Sequence, residues 1–347
     1  VNRTLLLAGL GVAGYWAYRS LKPRYDFRNK HVLITGGSRG LGLVMARQFA
    51  KAGARLSICS RDSNELGRAV NDLRTLDARV LAVECDVTDR DRVREFVAVA
   101  RVRNGPVDVL VNNAGTIQVG PFEEMREEDF AESLRVHFWA AFYTTLEVLP
   151  EMKARHSGRI VNIASFGGKV AVPHLLPYTV GKFALVGFSN GLNSELKQHG
   201  ITVTTVCPGL MQTGSHLNAE FKGRHREEYA WFAGGNAMPG LSMCAERAAA
   251  KILSSCAYGD AEVVLGLPAK IAVDIQTMFP NLTAELLALV HTFLPQPGGV
   301  GPAKVKGKYS RGKIPNKVTA HLDHAAAQNN EIAGAEAPPI PTALSGK

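Results

Sequence analysis

The sequence predicts an α/β domain built on a doubly wound parallel sheet, and three observations predict it. Short runs of Val, Ile and Leu recur between His31 and Gly266, and stretches of helical periodicity separate them. The runs are apolar at successive positions, as strands covered on both sheet faces must be. A helix joins each strand to the next, so the strands lie parallel and the crossovers are right-handed. With 347 residues, 46% of them hydrophobic, the chain can bury one large core and carry appendages.

HVLIT (31–35) is the first strand, and a helix follows from about Leu41 to Ala52. RLSICS (55–60) precedes a helix around 63–76, and RVLAVECDV (79–87) precedes one around 89–102. VDVLVNNAG (107–115) leads into a long helix near 127–155. RIVNIAS (159–165) precedes a helix near 177–199; ITVTTVCPG (201–209) and AEVVLG (261–266) complete the strands. An insert between Thr213 and Gly240 carries Phe221, Tyr229, Trp231, Phe232 and Met238, which are either core or pocket wall. Amphipathic helices follow at Ala269–Met278 and Thr283–Leu294. The organisation expected is an N-terminal anchor with a basic flank over 1–27, the α/β domain over 28–268, and amphipathic helices over 269–295. A basic tail over 296–347, rich in Pro, Gly, Ala and Lys and lacking a hydrophobic period, reads as disordered.

The net charge of +9 is not a basic face. Residues 1–30 and 302–318 together hold twelve Lys and Arg against one acid, Asp26, so the remainder is slightly acidic and nucleic-acid binding is not expected. The uncharged stretch Thr4–Tyr18 is followed by Arg19, Lys22 and Arg24. It is short of the ~20 residues that span a bilayer, yet Tyr15 and Trp16 beside basic residues resemble an interfacial belt. The expectation is a membrane anchor with the main domain on the cytoplasmic side; a first core helix is the alternative. Five scattered cysteines, with no CxxC or HExxH, indicate buried thiols and no metal site.

The first strand runs into TGGSRGLG, Thr35–Gly42, and then a helix. Glycines there let the backbone approach a pyrophosphate, which the free N–H groups and the helix dipole stabilise. With the spacing Thr-Gly-x3-Gly-x-Gly, the chain resembles the short-chain dehydrogenase/reductase family from about Lys30 to Gly266, a Rossmann fold. The resemblance implies a nicotinamide cofactor held by Gly36, Ser38, Arg39, Gly40, Leu41 and Gly42. Asp86 and Val87 would meet the adenine, Asn113, Ala114 and Gly115 would lie beside the cofactor, and Pro208, Gly209 and Thr213 would hold the carboxamide. Where NAD-binding relatives place an acid at the end of strand two, this chain has Ser60 and Arg61, with Arg39 in the glycine turn. Two guanidiniums suit a 2′-phosphate, so NADP (NADPH) is expected, with Asp62 capping the next helix.

Ser165 ends strand five, and Tyr178 and Lys182 lie four apart in YTVGK, on one helix face. A phenol of pKa ~10 serves as acid or base near neutrality only if a cation stabilises its phenolate, which Lys182 can do. The resemblance gives the same roles: Tyr178 as acid/base, Ser165 as hydrogen bond to the substrate oxygen, and Lys182 also on the nicotinamide ribose. A carbonyl and a secondary alcohol would be interconverted, reduction being favoured with NADP. The apolar insert and the anchor point to a lipophilic substrate, and the helices near 127–155 and 177–199 are those through which relatives form dimers or tetramers. A redox-silent, tethered NADP-binding scaffold is the competing reading. In LRVHFWAAF (134–142), His137 stands where relatives carry the asparagine of Val-Asn-x-x-Gly, which supports a proton relay through the lysine. His137 is therefore either a member of the catalytic set or a packed core histidine.

Overall fold

Seven parallel strands make the central sheet, in the order β7-β6-β5-β4-β1-β2-β3. They are β1 His31–Thr35, β2 Arg55–Ser60, β3 Val80–Glu84, β4 Val109–Asn112, β5 Gly158–Ile163, β6 Ile201–Pro208 and β7 Glu262–Leu265. The computed structural model describes residue 14, residues 24–312 and residues 314–332. β1, β4 and most of β2, β5 and β6 are buried, which is why their sequences are continuous apolar runs rather than alternating ones. Strand order reverses between β1 and β4, so a crevice opens there at the carboxyl ends of the strands.

Helices cover both faces. α1 Gly40–Lys51, α2 Ser63–Arg74 and α3 Arg90–Asn104 follow the first three strands. Asp62 caps α2 by accepting from the Glu65 amide at 2.9 Å, as expected, so its carboxylate is committed to the helix. The long helix predicted near 127–155 is divided: α4 Glu127–Leu134, a π-helical turn Arg135–Trp139, and α5 Ala140–Ala154. The π turn holds His137, and the extra backbone residue in such a turn re-aims side chains. α6 Leu176–Leu196 carries the YTVGK segment; α7 His225–Ala237 and α8 Ala245–Tyr258 follow.

α9 Leu267–Met278 and α10 Pro280–His291 lie where amphipathic helices were expected, but they bury only Ala269, Val273 and Thr283. Their larger apolar side chains face outward, with Leu267 71% and Met278 69% exposed.

The expectation of a structureless tail from 296 is corrected. Val305–Lys306 pairs antiparallel with Glu220–Phe221, and α11 Asn316–Gln328 packs against α7. Its buried face is Thr319, Leu322 and Ala326, a helical stripe (i, i+3, i+7) too small and polar to register as a hydrophobic period. Arg311 and His216 both pair with Asp323, holding the helix down. The apolar stretch Thr4–Tyr18, expected to anchor the chain, lies outside the described residues except for Gly14. Among the described residues no helix is long and apolar enough to cross a membrane.

Candidate active site

The glycine turn is built by contacts that admit no side chain. Gly36 and Gly40 have φ of +63° and +54°, and a Cβ on Gly42 would stand 2.1 Å from the Gly36 carbonyl oxygen. Asn113 pins the turn from the neighbouring strand: its side-chain amide donates to the carbonyls of Thr35 and Gly36 at 3.1 and 3.0 Å. The Thr35 hydroxyl accepts from the amides of Asn113 and Ala114. NNAG therefore fixes the shape of the cofactor turn as well as lying beside it.

One cleft runs from this turn to α6, and every residue expected at the site lines it. Ser38, Arg39, Leu41 and Arg61 lie with the three glycines at one end, Asp86 and Val87 beside them. Asn113, Ala114, Gly115, His137, Ser165, Tyr178, Lys182, Pro208, Gly209 and Thr213 line the other. This cradle of glycines, at the start of α1 where backbone N–H groups and the helix dipole favour an anion, fits a dinucleotide pyrophosphate. Arg39 is engaged: its guanidinium donates to Glu65 at 3.0 Å and to Asn218 at 2.8 Å. Arg61 is exposed and has no hydrogen-bond or ion-pair partner among the described residues.

At the reaction end, the Ser165 hydroxyl accepts from the Gly167 amide at 3.0 Å and so is oriented at the mouth of β5. Lys182 is 4% exposed; its ammonium donates to the Ile163 carbonyl at 2.8 Å and sits 5.6 Å from the centre of the Tyr178 ring. Burial pushes the Tyr178 phenol up to about 12, opposed by its bond with Ser165, and brings the Lys182 ammonium down to about 7.

His137 is 2% exposed and stands edge-on to Tyr178, with ring centres 5.3 Å apart. Its Nε2 lies 3.0 Å from the Thr116 carbonyl oxygen, which can only accept. Nε2 therefore carries the proton, and Nδ1 keeps a lone pair with no hydrogen-bond partner among the described residues. Burial first, and the charge of Lys182 second, hold the imidazole well below its ordinary pKa, so it is neutral. The ring fits because both its neighbours are glycines. A Cβ on Gly115 would come within 2.9 Å of its Cε1, and one on Gly181 within 3.0 Å of its Cδ2.

The cleft is also lined by the apolar Ile117, Val172, Leu175, Leu210, Met211 and Phe232 and by the polar Glu220, Asn236 and Lys306. Of the aromatics in the insert Phe232 lines it; Phe221 and Tyr229 are fully buried behind it in the same core cluster, Trp231 packs against that cluster, and Met238 is exposed. That cluster is anchored by a buried ion pair between Lys222 and Asp129. Sequence reasoning missed Asn218 and Glu331, which also line the cleft. Neither lies in a motif, and only the packing of α11 brings Glu331 there.

Residues 30–222 match the family described as short chain dehydrogenase. A protein of Streptomyces violaceoruber assigned as ketoacyl reductase 1 of the granaticin polyketide synthase is 42% identical over 200 residues, 57% of this chain and 71% of its own. An actinorhodin polyketide ketoreductase variant solved with NADPH is 32% identical, with a TM-score of 0.61 over 69% of this chain and 95% of that one. L-sorbose reductase from Gluconobacter frateurii, solved with NADPH and L-sorbose, is 27% identical, with a TM-score of 0.62 over 70% and 97%.

Proposed function

Because the chain belongs to the short-chain dehydrogenase family and is an oxidoreductase of that family, we propose that it interconverts a lipophilic ketone or aldehyde and its alcohol with NADP(H). The observation that carries this reading is the convergence of Ser165, Tyr178 and Lys182 on one end of a cleft whose other end is a glycine turn. The bound nicotinamide would supply or accept the hydride at the substrate carbon.

In reduction, the Tyr178 phenol donates its proton to the oxygen that becomes the alcohol, and in oxidation the phenolate takes it back. The Ser165 hydroxyl donates to the same oxygen, holding it in reach of Tyr178. Lys182, one helical turn along, lowers the cost of the phenolate. The unpartnered lone pair on His137 Nδ1, whose imidazole feels the charge of Lys182, takes the part of the relay asparagine through a bridging water.

Preference for NADP is supported by Arg61 at the end of β2, where Asp62 is spent on capping α2. A lipophilic substrate is supported by the apolar side chains of Ile117, Val172, Leu175, Leu210 and Phe232 in the cleft lining. The test is cofactor oxidation over a panel of carbonyl compounds of graded size and polarity, with NADPH and NADH in parallel. Tyr178→Phe should lower turnover about 10²- to 10⁴-fold while NADPH still binds, and Arg61→Ala should weaken NADPH but not NADH. Turnover indifferent to Tyr178, or confined to small polar ketones, would contradict the reading.

A further inference from the structure

The cofactor cradle already holds a ligand drawn from the chain itself. After α11 the backbone bends at Asn330, with φ of +60°, and enters the cleft over the glycine turn. The amide of Gly40, one of the N–H groups at the start of α1, donates to the carbonyl of Asn329 at 2.9 Å. The side chain of Asn330 donates to the carbonyls of Ser38 and Glu65 at 2.8 and 2.9 Å. Glu331 follows, and its two carboxylate oxygens reach the opposite wall, accepting from the Gly214 amide at 2.7 Å and the Asn218 side chain at 3.3 Å. A Cβ on Gly40 would lie only 3.2 Å from the same carboxylate. Glu331 thus bridges the glycine turn and the segment after Thr213, the two walls between which a dinucleotide pyrophosphate would lie.

A phosphate at the start of α1 needs the N–H that Asn329 occupies, and it would bring negative charge against a carboxylate. Both cannot be present. We propose that Asn329–Glu331 is a displaceable cover on the pyrophosphate subsite, docked when the cleft is empty and expelled by the dinucleotide. The inference rests on the cleft taking a dinucleotide, whether NAD or NADP.

The hold is strong in number and weak at the tip. Arg47 donates to the Asn329 side chain at 2.7 Å and to the Gln328 carbonyl at 2.8 Å, and Arg68 to the Asn330 side chain at 2.5 Å. Glu331, by contrast, is desolvated without full compensation, and its carboxyl is pushed up to about 7. A cover docked in about nine molecules in ten weakens apparent cofactor affinity about tenfold, and removing it restores that factor.

The experiment is hydrogen exchange on the full chain with and without saturating NADPH or NADH, with affinities from nucleotide fluorescence. Dinucleotide should slow exchange at 36–43 and speed it at 326–332. An Asn330→Ala/Glu331→Ala variant, and a chain ending at Gln328, should bind about tenfold tighter. Slower exchange at 326–332, or weaker binding by the variants, would show that the segment clasps the cofactor and overturn the proposal. Unchanged exchange there with protection at 36–43 would overturn it too, leaving the cofactor reading intact. Absence of protection at 36–43 with either nucleotide would overturn both.

Discussion

Replacing Gly115 by Ala tests the slot that holds His137. The added methyl would lie 2.9 Å from Cε1 and 3.3 Å from Nδ1 of the imidazole, while its next neighbour, the Lys182 ammonium nitrogen, is at an ordinary 3.7 Å. The ring would have to retreat, but Nε2 is tied to the Thr116 carbonyl at 3.0 Å and the far side closes on Gly181. Overpacking of a rigid site of this kind costs about 1–3 kcal/mol. With His137→Ala the obstacle is gone, so Gly115→Ala in that background should cost less than about 0.5 kcal/mol, giving a coupling of more than about 0.5 kcal/mol. Urea unfolding of the four proteins measures it. Turnover at saturating NADPH should fall with Gly115→Ala alone, since a displaced imidazole disturbs the Tyr178 edge it packs against. Additive stabilities, within about 0.5 kcal/mol, would mean that His137 is not confined as described.

Two further outcomes follow from buried charges. Lys222→Met takes the buried ion-pair partner from the Asp129 carboxylate, 1% exposed, and leaves it Lys304 at 3.3 Å and the Arg126 amide at 2.8 Å. The loss should approach the ~3–5 kcal/mol of a broken buried pair, and adding Asp129→Asn should recover part of it in the same unfolding assay. The docked Glu331 carboxyl is raised from its ordinary 4.5 to about 7, so docking favours the protonated acid; its contribution is complete below 4.5 and is lost as pH rises through about 7. Arg39 and Glu65 are the charges bearing on it, and His216 nearby is paired with Asp323. NADPH affinity of the natural chain, relative to the Asn330→Ala/Glu331→Ala variant, should therefore rise between pH 6 and pH 8; a ratio indifferent to pH would refute the assignment.

Local chemistry made much of the molecule legible in the sequence. The strands announced themselves as continuous Val/Ile/Leu runs because both of their faces are buried. The glycine turn was readable because positive φ and backbone contact at Gly36, Gly40 and Gly42 exclude side chains. Ser165, Tyr178 and Lys182 were legible because one strand end and one helix turn set their spacing. Each of these depends on neighbours a few residues away.

Tertiary structure alone decided the rest. α11 was invisible because Thr319, Leu322 and Ala326 bury too little apolar surface to make a period, and the helix is held by Arg311, His216 and Asp323. The identity of His137 was plain, but its tautomer and its slot depend on Thr116, Gly115 and Gly181, which two other segments supply. Asn330 meets Ser38 across 292 residues of chain. No local pattern encodes such a contact, because its energy exists only once the sheet and α11 have folded to bring the two together.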